Sequence, residues 1–180
     1  MSASEAEGWW FEPTRARSIF ANARNEIADS AAFMRMALDL ARIAGSRGDV
    51  PVGAIVVRGE TVLGSGFNEK EAENDPTAHA EIGALRQAAA KIGSWRLADA
   101  TLYVTKEPCV MCAGACVAAR IERLIYGCDD PKGGAAGSVF DLTNSPRLNH
   151  RIAVEKGVLA DESSELLRAF FQGKRLRDDA

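Results

Sequence analysis

A layered α/β domain with a β-hairpin at one edge of its sheet is expected from three features of this 180-residue sequence. Short β-rich runs alternate with stretches of helical periodicity, a pattern that packs helices against a sheet around one core. Two of the runs, residues 52–57 and 61–67, flank Arg58-Gly59-Glu60, which reads as a hairpin turn. The composition, 47% hydrophobic against 26% charged, is that of an ordinary soluble domain of this length.

Residues 1–30 differ from the rest: an acidic start, the cluster Trp9-Trp10-Phe11, then Pro13 and an Arg-containing stretch through Arg24. They are expected to form a flexible leader outside a domain of residues 31–180. The acid-free run from Pro13 to Asn25 faintly resembles an organellar presequence, but the acidic residues before it weigh against that. Phe33, Met36, Ala37, Leu40 and Ile43 recur at helical spacing, and Gly45 and Gly48 close the pattern, so an amphipathic helix should open the domain.

After the hairpin, Asn74-Asp75-Pro76-Thr77 is a turn whose hydroxyl or carboxylate is expected to cap the next helix, through Ile82, Leu85 and Ala89 to Gly93. His79-Ala80-Glu81 then lies at a helix N-terminus. Residues 101–105 form a strand, and Pro108 is expected in the first turn of a helix reaching about Ala119. Cys109 and Cys112, three apart, share one face of its opening turn. Residues 124–126 and 152–154 read as strands, 133–137 as a loop, and 162–171 as a closing helix.

No apolar run approaches the roughly 20 residues that span a bilayer, and no signal-peptide pattern is visible, so no membrane role is expected. Four cysteines crowded between Cys109 and Cys128 are unlike a disulfide framework and suit a reducing cytoplasm. The net charge of −3 argues against indiscriminate nucleic-acid binding through a uniformly basic surface, while leaving room for a local basic patch.

One imidazole and two thiolates, from His79, Cys109 and Cys112, make a ligand set for zinc with a fourth position open, the pattern of a catalytic site. Both segments open helices, whose positive ends favour thiolate and anion. Two thiolates neutralise the dication and blunt its acidifying power, so the uncommitted carboxylate of Glu81 becomes the expected base. A thioredoxin-like Cys-x-x-Cys pair would leave the His-Ala-Glu segment unexplained, and a structural zinc site would need a fourth ligand. Cys116 and Cys128 are expected to be buried inert thiols, and His150 to satisfy a local polar contact.

The pairing of His79-Ala80-Glu81 with Pro108-Cys109-Val110-Met111-Cys112 resembles the zinc deaminases of the cytidine deaminase superfamily. The segments Asp75 to Ile82, Thr101 to Thr105, Glu107 to Ala115, Gly134 to Ser138 and Asn149 to Arg151 are similar, more specifically, to the bacterial tRNA-specific adenosine deaminases. The likeness covers about residues 31 to 175. It implies a three-layer α/β/α cytidine-deaminase-like fold with a central mixed sheet of about five strands. It also implies a homodimer that converts the wobble adenosine of an arginine tRNA anticodon loop to inosine by hydrolysis.

In that reading His79, Cys109 and Cys112 hold one Zn²⁺ per subunit, Glu81 moves the protons, and Asn68 reads the purine edge. Asp130 and Lys132 would lie near the RNA, and Phe170-Phe171 with Lys174, Arg175 and Arg177 would form an aromatic and basic patch. Lys106 stands where the family often has an apolar residue, and Gly133 where it more usually has threonine or serine. The rival assignment is a guanine deaminase, or another free-nucleobase deaminase, with the same zinc core. A catalytically idle zinc protein that binds RNA would not need Glu81.

Overall fold

Alternating side chains along the central strands are buried on both faces of the sheet, which requires a layer of helices on each side. The computed structural model describes residues 13–178, with side chains from residue 30 to residue 176. The order is α1 (Pro13–Ser46), β1 (Gly53–Arg58), β2 (Thr61–Phe67), α2 (Ala80–Ile92), β3 (Thr101–Lys106), α3 (Val110–Ala119), β4 (Arg123–Cys128), β5 (Ala153–Lys156) and α4 (Ala160–Asp178). The strands form one sheet in the order β2-β1-β3-β4-β5. The hairpin β1–β2 and the pair β1–β3 are antiparallel, whereas β3–β4 and β4–β5 are parallel.

Ala54, Val56, Leu102, Val104, Leu124 and Tyr126 point to one face, where Ala80, Ala84, Leu85 and Ala88 of α2 and Cys116 and Val117 of α3 complete the larger core cluster. The intervening Ile55, Val57, Tyr103 and Ile125 point to the other face, against Met34 and Ala37 of α1. On that face α4 packs along β4 and β3. The result is the expected three-layer α/β/α arrangement with a mixed five-stranded sheet. Two glycines of β2 bring α2 unusually close: a Cβ at Gly64 or Gly66 would land on the backbone of Ala84 or Ala80, respectively.

Several boundaries differ from expectation. The helix expected from Phe33 extends back to Pro13, so the backbone of residues 13–30 is described as helix. Residues 1–12, with the Trp9-Trp10-Phe11 cluster, and the side chain of Arg177 lie outside what is described. The closing helix starts at Ala160 and runs past Phe171 to Asp178. Its apolar periodicity ends near Phe171, but Gln172, Lys174, Arg175 and Leu176 are good helix formers and carry it on.

The cap expected for α2 does not form. Asp75 instead accepts the backbone N–H and the hydroxyl of Thr77, both at 2.7 Å, closing a turn ahead of the helix. The residue at the N-cap is His79. Pro108 likewise precedes α3 rather than entering its first turn, because Cys109 takes the N-cap with extended backbone (φ −72°, ψ 176°).

Candidate active site

The two helices that carry the chemistry both begin with a candidate ligand at the N-cap, His79 for α2 and Cys109 for α3. Neither side chain caps its own helix, so both are free to turn toward a shared centre. Cys109 Sγ lies 3.7 Å and Cys112 Sγ 3.5 Å from His79 Nδ1. All three donor atoms fall within 4.8 Å of one another.

This spacing fits a metal. With Zn–S of about 2.3 Å and Zn–N of about 2.0 Å, a tetrahedral ion sets its sulfur and nitrogen ligands about 3.5 Å apart. The charges suit it too. Hydrogen bonding from Cys112 and from His79, outweighing burial, holds the Cys109 thiol down at about 3, whereas Cys112 is pushed up by its bond with Cys109 and by burial. Holding a cation there requires both sulfurs as thiolates, so its uptake would release protons.

Glu81 sits one residue inside α2, is only 4% exposed, and does not belong to the ligand triangle. Burial raises its carboxyl above the ordinary glutamate range, in part opposed by its own backbone N–H. A buried carboxyl whose affinity for a proton is raised, and which no ligand position claims, suits the role of proton carrier.

Val50, Val52, Asn68, Lys70, His79, Ala80, Glu81, Lys106, Glu107, Cys109 and Asp130 surround one cavity of about 200 Å³. Of the residues singled out from sequence, His79, Glu81, Cys109, Asn68 and Asp130 therefore converge on it, with Cys112 just behind. Lys132 and Phe171 do not. They line an adjoining groove of about 750 Å³, between the loop after β4 and α4, with Leu167, Arg168, Gln172 and Arg175. Phe171 is 43% exposed there and meets Phe170 edge-on at 5.4 Å. The two spaces share only Lys106 and Asp130.

Two buried carboxylates that the sequence reading passed over hold the cavity walls. Asp49, fully buried between α1 and β1, accepts the backbone N–H of Glu71 (2.8 Å) and Ala72 (3.1 Å) and lies 3.5 Å from Asn68 Nδ2. Asn68 also donates to the Val50 carbonyl at 3.2 Å, so its amide nitrogen is committed to the protein. Glu107 accepts backbone N–H groups from Asp130 (2.9 Å), Ala136 and Ser138 (3.0 Å each). It fills the space a Cβ at Gly134 would occupy, and Cys109 pairs with Gly134 as an isolated bridge. The loop 130–138 is thereby fastened beside the ligands. The signal for Glu107 was its place directly before Pro108-Cys109; for Asp49 no local pattern existed.

Lys106 Nζ donates to Asp130 Oδ2 at 2.5 Å, across side chains 30% and 14% exposed. Burial alone would raise the Asp130 carboxyl, but the bond from Lys106 and the backbone N–H of Lys132 hold it below the usual range.

The remaining expectations resolve as structural. Cys116 is fully buried and its thiol is pushed up by that burial. Cys128 is buried against the Thr105 carbonyl. His150 Nε2 meets the Ile121 carbonyl at 2.7 Å, and Asn149 accepts from Arg120 at 2.6 Å, so this segment ties the loop before β5 to the end of α3.

The sequence matches the MafB19-like deaminase family over residues 28–175. It is 49% identical over 143 residues to the tRNA-specific adenosine deaminase of Haemophilus influenzae, covering 79% of this chain and 83% of that protein. A solved structure from a study of A-to-I editing by tRNA:A34 deaminases at the wobble position of transfer RNA superposes with a TM-score of 0.73 at 46% identity, covering 76% of this chain and 99% of that one. A guanine deaminase from Nitrosomonas europaea is also similar, with a TM-score of 0.65 but 28% identity, over 78% of this chain and 83% of that one.

Proposed function

The chain belongs to the tRNA-specific adenosine deaminases, and on that footing we propose that it hydrolyses the wobble adenosine of an arginine tRNA anticodon loop to inosine. The observation that carries this reading is the His79/Cys109/Cys112 triangle with a buried, unligated Glu81 in the same cavity. Zinc, one ion per chain held by that triangle, would supply the Lewis acidity that makes water nucleophilic near neutral pH.

The reaction exchanges the exocyclic C–N bond for a C–O bond at the same carbon and releases ammonia. Glu81, with its raised carboxyl, accepts a proton from water and passes it to the ring nitrogen, then takes the proton of the newly formed C–OH and delivers it to the departing amine. Asn68, its amide nitrogen held by Val50, keeps its carbonyl oxygen for a donor on the purine edge. Asp130 and Lys132 neighbour the RNA at the mouth, and Phe171 offers a face on which an unstacked base can lie.

The assembly is a homodimer. What supports it is an apolar hollow on the outer side of α2 and α3, lined by Ile82, Leu85, Ala89, Ala115 and Ala118, beside Trp95, which is 64% exposed. Residues 31–180 form the deaminase domain and residues 1–30 a leader, a boundary supported by the start of the family match at residue 28. The cytoplasm is its place: among the described residues no helix is long and apolar enough to cross a membrane, and all four cysteines are unpaired.

The purified protein should convert adenosine to inosine in an arginine anticodon stem-loop with adenosine at the wobble position. Turnover of free guanine with an untouched stem-loop would instead favour the guanine deaminase reading, whose support is the lower identity of 28%. A strictly monomeric yet fully active species in sedimentation would remove the homodimer.

A further inference from the structure

A base can enter the cavity at the ligands only if the strand carrying it passes the mouth, and the mouth continues into the groove on α4. Lys106 and Asp130 are the two residues that belong to both spaces, so they stand where the sugar-phosphate of a flipped nucleotide meets that of its neighbour. A carboxylate alone at that point would repel a polyanion. Lys106 cancels its charge.

The pair does more than neutralise. Asp130 is itself fixed on both sides: its backbone N–H donates to Glu107 at 2.9 Å and its Oδ1 accepts from the Lys132 N–H at 3.1 Å. A lysine bound to so well anchored a carboxylate has lost much of the rotamer freedom that makes surface lysines weak ligands. An ammonium has three donors, and among the described hydrogen bonds Lys106 Nζ spends one, on Asp130 Oδ2. The ammonium also sits at the end of β3, two residues ahead of the Pro108-Cys109 turn, so its position relative to the ligands is set by the sheet. Lys132, Arg168 and Arg175 in the groove are by contrast exposed along their length.

We propose that Lys106 is the phosphate-binding residue at this junction, holding the phosphodiester between the deaminated nucleotide and the neighbour that lies in the α4 groove. The inference rests on the reading of the site as one that acts on an RNA loop. In this role Lys106 keeps Asp130 as its anchor and contacts the phosphate with its remaining N–H groups. It sets substrate position and affinity, not chemistry.

The test is equilibrium binding of the arginine anticodon stem-loop, followed by fluorescence anisotropy across a salt series, for the zinc-loaded wild type, Lys106→Met, Lys106→Gln and Lys106→Arg. Loss of one phosphate contact should flatten the slope of log affinity against log salt by about 0.7, the value for a single strand. Lys106→Met and Lys106→Gln should both show that loss with binding weakened by about fivefold at physiological salt, and Lys106→Arg should keep the wild-type slope. Lys106→Gln is the decisive variant, because it retains a hydrogen-bond donor for Asp130 while removing the charge. If it keeps the wild-type slope, Lys106 serves only to hold Asp130 and the proposal is overturned. Deamination of the same stem-loop by the wild type is scored separately. Its failure would count against the parent reading, while the salt slopes still decide the role of Lys106.

Discussion

The cavity at the ligand triangle and the groove along α4 share a wall, yet they are built by opposite means. In the cavity, each functional group is placed by backbone or by a buried anchor: His79 and Cys109 at the N-caps of two helices, Asn68 and the loop 130–138 by the buried carboxylates of Asp49 and Glu107. In the groove, the lining beyond Lys106 and Asp130 comes from Pro131, Lys132 and Gly133 of the loop after β4 and from Leu167, Arg168, Phe171, Gln172 and Arg175 of α4, and Lys132, Arg168, Phe171, Gln172 and Arg175 among them are exposed. Geometry fixed by backbone suits a step that tolerates little displacement, and side chains with rotamer freedom suit a ligand that varies in shape. Substitutions in the first region should therefore fall on kcat or on metal content, and those in the second on KM.

The largest effect is expected at Glu81. Glu81→Gln should keep about one zinc per chain by elemental analysis while the single-turnover rate on the stem-loop falls by on the order of 10³ or more. Retained turnover would mean that some other group moves the protons. Cys109→Ala comes next: it should lose zinc and lower the unfolding midpoint together, since the residue is both a candidate ligand and the N-cap of α3. The same midpoint should drop when wild type is stripped with a strong chelator, and recover on adding zinc.

Glu107→Gln tests whether an anchor remote from the reacting atoms belongs with the cavity. Its carboxylate receives three backbone N–H groups, and an amide in its place turns a donor toward at least one of them. A loss of about 2 kcal/mol in denaturant unfolding is expected, with hydrogen exchange in residues 130–138 accelerated. An unchanged stability would show the loop to be held by something else. The smallest effect belongs to the groove: Phe171→Ala should raise KM for the stem-loop roughly fivefold, about 1 kcal/mol of stacking, with kcat nearly constant. A fall in kcat there would erase the distinction between the two regions.

The same division governs what could be read from the sequence. Within each segment the candidate ligands stood out because their spacing is local, Cys109 and Cys112 falling three apart at a helix start. His79, by contrast, lies 30 residues before Cys109 and was joined to them by ligand chemistry and by the resemblance, not by spacing. The strands were legible from their composition, although β4 and β5 are longer or shifted relative to the apolar runs because register with a neighbour extends pairing through Arg123 and Lys156. The cap of α2 was misassigned because Asp75 and Thr77 satisfy each other first. Asp49 escaped notice because its three partners lie 19 to 23 residues away. Nor could the sequence say that Lys106 would meet Asp130, 24 residues on, since the parallel register of β3 and β4 brings them together.

The bare backbone of β2 has a further meaning. At Gly64 and Gly66 no side chain separates α2 from the strand, so the height of His79 above the sheet is a fixed length, the contact distance of two main chains. Cys109 and Cys112 hang from a different strand, β3, and would not follow if α2 were lifted. A methyl group at either glycine would thus act as a shim under one leg of a tripod. With a metal held at the triangle as proposed, a change at these two positions would be judged against the ångström-scale tolerance of a coordination bond, a stricter gauge than the stability of the fold.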